Sequence, residues 1–214
     1  MTMKYSAIIF DLDGVLCFTD RYHYKAWKAL ADRLGIYFDE KINDRLRGVS
    51  RMASLEIILE RSEKTYTDEE KVAFATEKND LYRQLLGNMT PDDIAPEVRQ
   101  TLTTLREMGL KLAIGSSSKN TPLILQKTEL AQHFDAVSDG NNITHSKPDP
   151  EVFLKAAQFL GERPGSCLVV EDAVAGIDAG VAGGFDTAGL GEAARYEKTT
   201  YPLSRFAGLL ECVS

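Results

Sequence analysis

Long apolar runs, basic charge and cysteine are all in short supply in this 214-residue chain. No apolar stretch approaches the ~18 residues that a membrane span requires. The first such stretch, Ala7–Phe10, is cut off by Asp11, which excludes the hydrophobic region of a secretory signal. The three cysteines, Cys17, Cys167 and Cys212, include no Cys-x-x-Cys pair. Their odd number argues against a disulfide framework and predicts a reduced, cytoplasmic protein. Basic side chains number 25 against 32 acidic ones, a formal charge of −7. Such a chain has no general attraction for phosphate backbones, so neither nucleic acid nor an anionic membrane is expected as a partner. An anionic ligand must be met by a local cluster of positive groups. Histidine is scarce too, and His133 and His145 lack any supporting pattern and read as loop or surface residues.

What the chain has is enough for a core. Apolar residues make up 43% and charged ones 27%, a balance that excludes intrinsic disorder. The length suits one domain carrying a sizeable insertion. From Tyr5 to Gly14, a β-branched and aromatic run closed by acidic residues reads as a buried strand ending in a loop. Similar runs recur at 110–115, 134–138, 167–171 and 185–190. Between them lie helical patterns with clear ends. After Pro96, the apolar residues Val98, Leu102, Leu105 and Met108 recur at helical spacing, and Gly109 is placed to stop them. Pro150 and Gly161 bracket a second helix in the same way. This alternation predicts an α/β fold with a parallel sheet covered on both faces.

The segment 18–87 breaks the alternation, reading as helices with no strand between them. Tyr22–Leu34 is amphipathic, Ser54–Arg61 carries a tight apolar cluster, and Thr67–Leu86 opens on a capping box. Gly87 is placed to end the last of these, and Thr90-Pro91 begins a linker. The expected organisation is a core of residues 1–17 and 88–214 with an inserted helical domain of residues 18–87, hinged near 17–19 and 87–92.

In open parallel sheets, ligands bind beyond the carboxyl ends of the strands. Asp11 and Asp13 follow the first predicted strand, Ser116 to Ser118 the second, Lys147 the third after a short loop, and Glu171-Asp172 the fourth. Four carboxylates in one crevice cannot all stay ionised without compensating charge. A hard divalent cation with oxygen ligands supplies it, Mg²⁺ being the natural candidate, and Lys147 adds one more positive charge. Any single acidic pair of this kind also reads as a turn former or helix cap. An EF-hand is excluded, because the glycine after Asp11 falls at loop position four and Tyr22 stands where the closing glutamate belongs. The Gly189-x-Gly191 stretch lacks the following strand of a dinucleotide site and reads as a loop.

Four segments taken together, Asp11-x-Asp13-Gly14, Gly115-Ser116-Ser117, Ser146-Lys147-Pro148 and Glu171-Asp172-x-x-x-Gly176, resemble the four motifs of the haloacid dehalogenase superfamily. The resemblance implies a Rossmann-like core with a helical cap, and phosphoryl transfer through an aspartyl phosphate. Asp11 corresponds to the nucleophile. Asp13 corresponds to a general acid/base absent from the dehalogenases proper, which favours phosphate chemistry. In the inserted segment, Arg47, Gly48, Val49, Arg51 and Ser54, with Thr19, His23 and Trp27, are similar to the substrate-binding cap of the phosphoglucomutase branch. So are Ser117, Ser118, Lys119 and Asn120 of the core. Position 47 departs from that branch, which usually has lysine there; arginine keeps the charge but brings a planar fork.

The resemblance implies the rest of the chemistry. The catalytic set is Asp11, Asp13, Ser116 and Lys147, and Mg²⁺ is held by Asp11, Asp13, Glu171 and Asp172. The ligands are β-glucose 1-phosphate, glucose 1,6-bisphosphate and glucose 6-phosphate. A cap that opens and closes lets the bisphosphate turn around. A sugar-phosphate phosphatase on the same scaffold is the alternative. A monomer is expected, since no long apolar face is left over.

Overall fold

The computed structural model describes residues 4–46 and 49–213. Its sheet consists of β1 (Ala7–Phe10), β2 (Lys111–Gly115), β3 (Ala136–Ser138), β4 (Cys167–Glu171), β5 (Asp186–Gly189) and β6 (Tyr201–Pro202). All neighbours are parallel, in the order β3-β2-β1-β4-β5-β6. The central strand β1 is buried at every residue, which is why it reads as a continuous apolar run rather than an alternating one. The chain leaves β1 for β2 on one side and later returns to its other side as β4. That reversal of direction opens a crevice at the carboxyl end of β1.

The helices follow in chain order: α1 (Asp20–Leu34), α2 (Glu40–Asp44), α3 (Arg51–Leu59), α4 (Asp68–Leu86), α5 (Pro96–Glu107), α6 (Thr121–Thr128), α7 (Glu151–Leu160), α8 (Val174–Ala182) and α9 (Leu209–Val213). On one face of the sheet, Val152, Phe153, Ala156 and Leu160 of α7 pack on Ala7, Ile9, Ala113, Cys167 and Val169. On the other, the Phe10 ring meets Phe134 and Phe206, with centroids 6.1 and 5.9 Å away. Helices α5 and α7 end as the sequence predicts, Gly109 and Gly161 taking left-handed backbone at φ +86° and +71°.

The chain divides into two compact units, Met1–Phe18 with Met89–Ser214, and Thr19–Asn88. The second unit is helical, with a core of Trp27, Leu30, Phe38, Ile42, Leu55, Ile58 and their neighbours. Here α4 opens on the predicted box: the Thr67 hydroxyl accepts from Glu70 N–H, and Glu70 accepts from Thr67 N–H. One helix boundary shifts and two short elements are added. Helix α3 begins at Arg51 rather than Ser54, because Ser50 caps it by accepting the Ala53 N–H at 3.3 Å. Gly87 does end α4, which stops at Leu86, and it caps the helix with right-handed backbone at φ −57°. Helix α2 and strand β6 were invisible to periodicity, being five and two residues long. Among the described residues, no helix is long and apolar enough to cross a membrane.

Candidate active site

The ends of β1, β2 and β4 deliver Asp11, Ser116 and Glu171-Asp172 to one crevice, and Lys147 joins them from the loop after β3. The lysine ammonium lies 2.6 Å from Asp11 Oδ1 and 2.6 Å from Glu171 Oε1. Its stem is sheltered, with the ammonium 4.6 Å from the centre of the Phe153 ring. Burial alone would push the Lys147 ammonium toward losing its proton. The two carboxylates outweigh that and hold it above the ordinary lysine range. Glu171 is fully engaged: its other oxygen accepts the N–H groups of Asp172 and Ala173 at 3.0 and 3.1 Å.

One ammonium does not neutralise three acids. Burial, followed by the negative charge of Asp11, raises the Glu171 carboxyl. Burial and then the charges of Asp11 and Glu171 push Asp172 up to about 8. The crevice is thus short of a second positive charge. Oxygen atoms of Asp11, Glu171 and Asp172 all lie within 4.8 Å of one another. Hard oxygen donors at that spacing, with excess negative charge, fit a small divalent cation.

Asp13 sits half-buried in the turn beyond β1, bridged to Cys17. Gly14 makes this turn possible. Its φ is +88°, and a Cβ there would lie 2.0 Å from Asp172 Oδ2, so only glycine lets the two strand ends approach.

After β2, three serines lie in a row and each oxygen accepts a backbone N–H. Ser116 Oγ accepts from Ser118 N–H at 3.2 Å, Ser117 Oγ from Lys147 N–H at 3.3 Å, and Ser118 Oγ from Asn120 N–H at 3.2 Å. A hydroxyl whose oxygen is engaged this way keeps its own proton to donate. The loop is thus built of donors, suited to an anion. Asn120 is buried and Lys119 exposed.

The remaining candidates belong to the helical unit. Thr19 is buried, and its carbonyl accepts the Tyr22 and His23 N–H groups at the start of α1. Val49 is exposed, Arg51 is half-buried at the start of α3, and Ser54 is buried. Trp27, expected to touch substrate, is 2% exposed and packs in the core of this unit. Arg47 and Gly48 lie outside the described residues.

His23 has a partner that the sequence reading missed. Its Nδ1 is 2.8 Å from the ammonium of Lys78, which also lies 4.6 Å from the Trp27 ring centre and 4.7 Å from that of Tyr82. The imidazole stacks on Tyr82 at 4.0 Å. Burial, then the charges of Lys78 and Arg51, lowers the His23 pKa well below its usual value. His23 is therefore neutral at pH 7. With Nδ1 accepting from Lys78, the ring proton is assigned to Nε2, leaving a neutral donor. Ala75, Lys78, Tyr82 and Leu86 form the buried stripe of α4, so a lysine occupies a core position.

Comparison with known proteins agrees with this chemistry. The haloacid dehalogenase-like hydrolase family matches residues 5–184. A β-phosphoglucomutase of Bacillus subtilis is 40% identical over 188 residues, covering 87% of this chain and 83% of its own. A fructose-1-phosphate phosphatase of Escherichia coli is 31% identical over 186 residues, covering 87% and 96%. The crystal structure of a β-phosphoglucomutase from Clostridium difficile superposes with a TM-score of 0.88 at 37% identity, over 96% of this chain and 93% of the other. With the motif residues gathered at the ends of β1, β2 and β4, and with a match of this extent, the chain belongs to the haloacid dehalogenase-like hydrolase family.

Proposed function

We propose that the protein is a phosphomutase that interconverts β-glucose 1-phosphate and glucose 6-phosphate by way of glucose 1,6-bisphosphate. The observation that carries this reading is the pairing of Asp11 with Lys147 at 2.6 Å, and the Ser118–Asn120 segment after β2 is read as a second grip for an anion. A phosphatase needs only the first; a mutase must also hold the phosphate that is not reacting. The likeness to the Bacillus subtilis mutase supports it further.

The Asp11 carboxylate attacks phosphorus, the bond to the sugar oxygen breaks, and an aspartyl phosphate carries the group between half-reactions. Asp13 gives a proton to the departing sugar oxygen, then takes one from the hydroxyl that attacks in the return step. Lys147 and the Ser116 hydroxyl bind the equatorial oxygens of the transferring group. Asp11, Asp172 and the Asp13 carbonyl would hold Mg²⁺, with Glu171 acting through water because its oxygens are already engaged. When bound, that ion would neutralise charge on the phosphoryl oxygens. Ser118, Lys119 and Asn120 grip the other phosphate, and Arg51 adds a guanidinium fork for it. Thr19, the neutral His23, Val49 and Ser54 serve the sugar, as do Arg47 and Gly48, whereas Trp27 supports His23 through Lys78. The enzyme works as a cytoplasmic monomer.

The test is stoichiometric. With β-glucose 1-phosphate, a trace of the bisphosphate and Mg²⁺, glucose 6-phosphate is expected to accumulate with little free phosphate. Dominant release of inorganic phosphate would instead establish the phosphatase reading, which the 31% identical fructose-1-phosphate phosphatase keeps in play. A second prediction concerns Arg51. Burial lowers its pKa from the usual arginine value, a sign of a guanidinium short of water. Arg51→Ala should reduce mutase kcat/KM by ~1.5–3 kcal/mol of lost charged hydrogen bonding, roughly 10- to 150-fold. Unchanged flux in steady-state assays would place the second grip elsewhere.

A further inference from the structure

The Ser116–Asn120 loop has two halves, held by different parts of the fold. The sheet fixes the first: Gly115 pairs with Ser138, and Ser116 N–H donates to the Ser138 carbonyl at 3.1 Å. The second half has no such ladder. It is held from two sides, by α6, where the Thr121 hydroxyl donates to the Ser118 carbonyl at 2.9 Å, and by the turn after β3, residues Asp139 to Asn142. Gly140 N–H donates to the Ser118 carbonyl at 3.2 Å, and Asn141 Nδ2 donates to the Lys119 carbonyl at 3.1 Å. The turn is braced from within. Asp139 Oδ1 accepts the Asn141 N–H at 2.8 Å, and Asn142 Oδ1 accepts the Asp139 N–H at 3.3 Å and the Ser138 hydroxyl at 3.1 Å. The Lys155 ammonium donates to the Asn142 carbonyl from α7.

At Gly140 the two backbones close to contact. A Cβ there would lie 2.5 Å from the Ser117 carbonyl oxygen and 2.8 Å from the Lys119 nitrogen, so any side chain must push the loop. The direction of these contacts matters for an anion. A carbonyl oxygen repels a phosphate, and in a trans peptide the N–H points opposite to the C=O. Holding the Ser118 carbonyl in the turn therefore aims the Lys119 N–H away from it.

We propose that the Asp139–Asn142 turn sets the position of the Ser118–Asn120 half-loop, with Gly140 and Asn141 as positioning residues for the phosphate that is not being transferred. This rests on the reading of Ser118–Asn120 as that phosphate's grip, and adds residues that touch no substrate themselves.

Two reactions of the same enzyme test it. Acetyl phosphate can phosphorylate Asp11 but carries no second phosphate, so it bypasses the half-loop. Gly140→Ala should raise KM for β-glucose 1-phosphate about tenfold or more, with phosphorylation by acetyl phosphate changed less than about threefold. Asn141 is exposed, and its replacement does not endanger the fold. Asn141→Ala should raise KM about two- to fivefold with kcat kept, and Asn141→Asp, which keeps the shape but loses the donor, should do at least as much. Unchanged KM in the Asn141 variants, or a parallel fall in both reactions for Gly140→Ala, would overturn the proposal. If the unaltered enzyme hydrolyses sugar phosphates rather than isomerising them, the mutase reading fails separately. The hydrolysed substrate then carries no second phosphate and the turn's role falls with that reading, whereas a failed KM test with mutase flux intact overturns the role of the turn alone.

Discussion

Asp11→Asn is expected to abolish turnover and leave a folded protein. The amide keeps the size of the side chain but cannot form the acyl phosphate through which both half-reactions pass. Loss of a nucleophile that acts as part of a unit costs on the order of 10⁴-fold or more in kcat. Stability should respond far less. Lys147 keeps its 2.6 Å bond to Glu171, and the substitution removes one of three crowded negative charges. Its melting temperature without divalent cation should accordingly match or exceed that of the parent. Intact-mass spectrometry after incubation with the bisphosphate or acetyl phosphate should show an added phosphoryl group on the parent and none on the variant. A variant that retained a tenth of parental flux would remove Asp11 from the mechanism altogether.

Why this position could be singled out from sequence, while others could not, has a physical basis. Asp11 and Ser116 directly follow a strand and Glu171-Asp172 closes one, so finding the strands located their end of the sheet, and parallel pairing with β1 brought them together. Lys147 stands nine residues beyond β3, yet its short loop brings the ammonium to the same crevice. Side-chain packing within the helical unit was less legible. Helical spacing says which face a residue occupies but not whether that face meets solvent or other helices. Trp27 enters the ligand set through the family resemblance and packs in the core of the helical unit, and Lys78, which no motif marks, sits in the core stripe of α4. The turn at Asp139–Asn142 was equally silent, because Asp, Gly and Asn mark a turn of any kind. Only the tertiary contact of Gly140 with Ser117 and Lys119 distinguishes it.

The ammonium of Lys147 should matter to stability as much as to rate. Lys147→Met keeps the buried stem but leaves Asp11 and Glu171 facing each other without the cation that lies 2.6 Å from each. Breaking a buried pair from one side costs about 3–5 kcal/mol, because the remaining charge is uncompensated. Loss of this donor to the transferring group should separately cost roughly 10²- to 10³-fold in kcat. The stability loss has a direction in pH. Burial and neighbouring acids raise the carboxyls of Glu171 and Asp172, the latter to about 8. A carboxyl raised in the folded state contributes stability that is fully present below its unfolded value near ~4, and that stability fades as pH rises through the folded value. Cation-free parent protein should therefore lose stability between about pH 4 and pH 8, and Lys147→Met should lose more over the same window. Mg²⁺ should act oppositely, raising the melting temperature more at about pH 8 than at about pH 5.5, where it must first displace a proton. Thermal melts of both proteins across this range, in chelator and in Mg²⁺, read all three effects. A cation-induced stabilisation independent of pH would mean that Asp172 does not ligate the ion, and a Lys147→Met protein as stable as its parent at pH 8 would mean that the ammonium does not hold the crevice together.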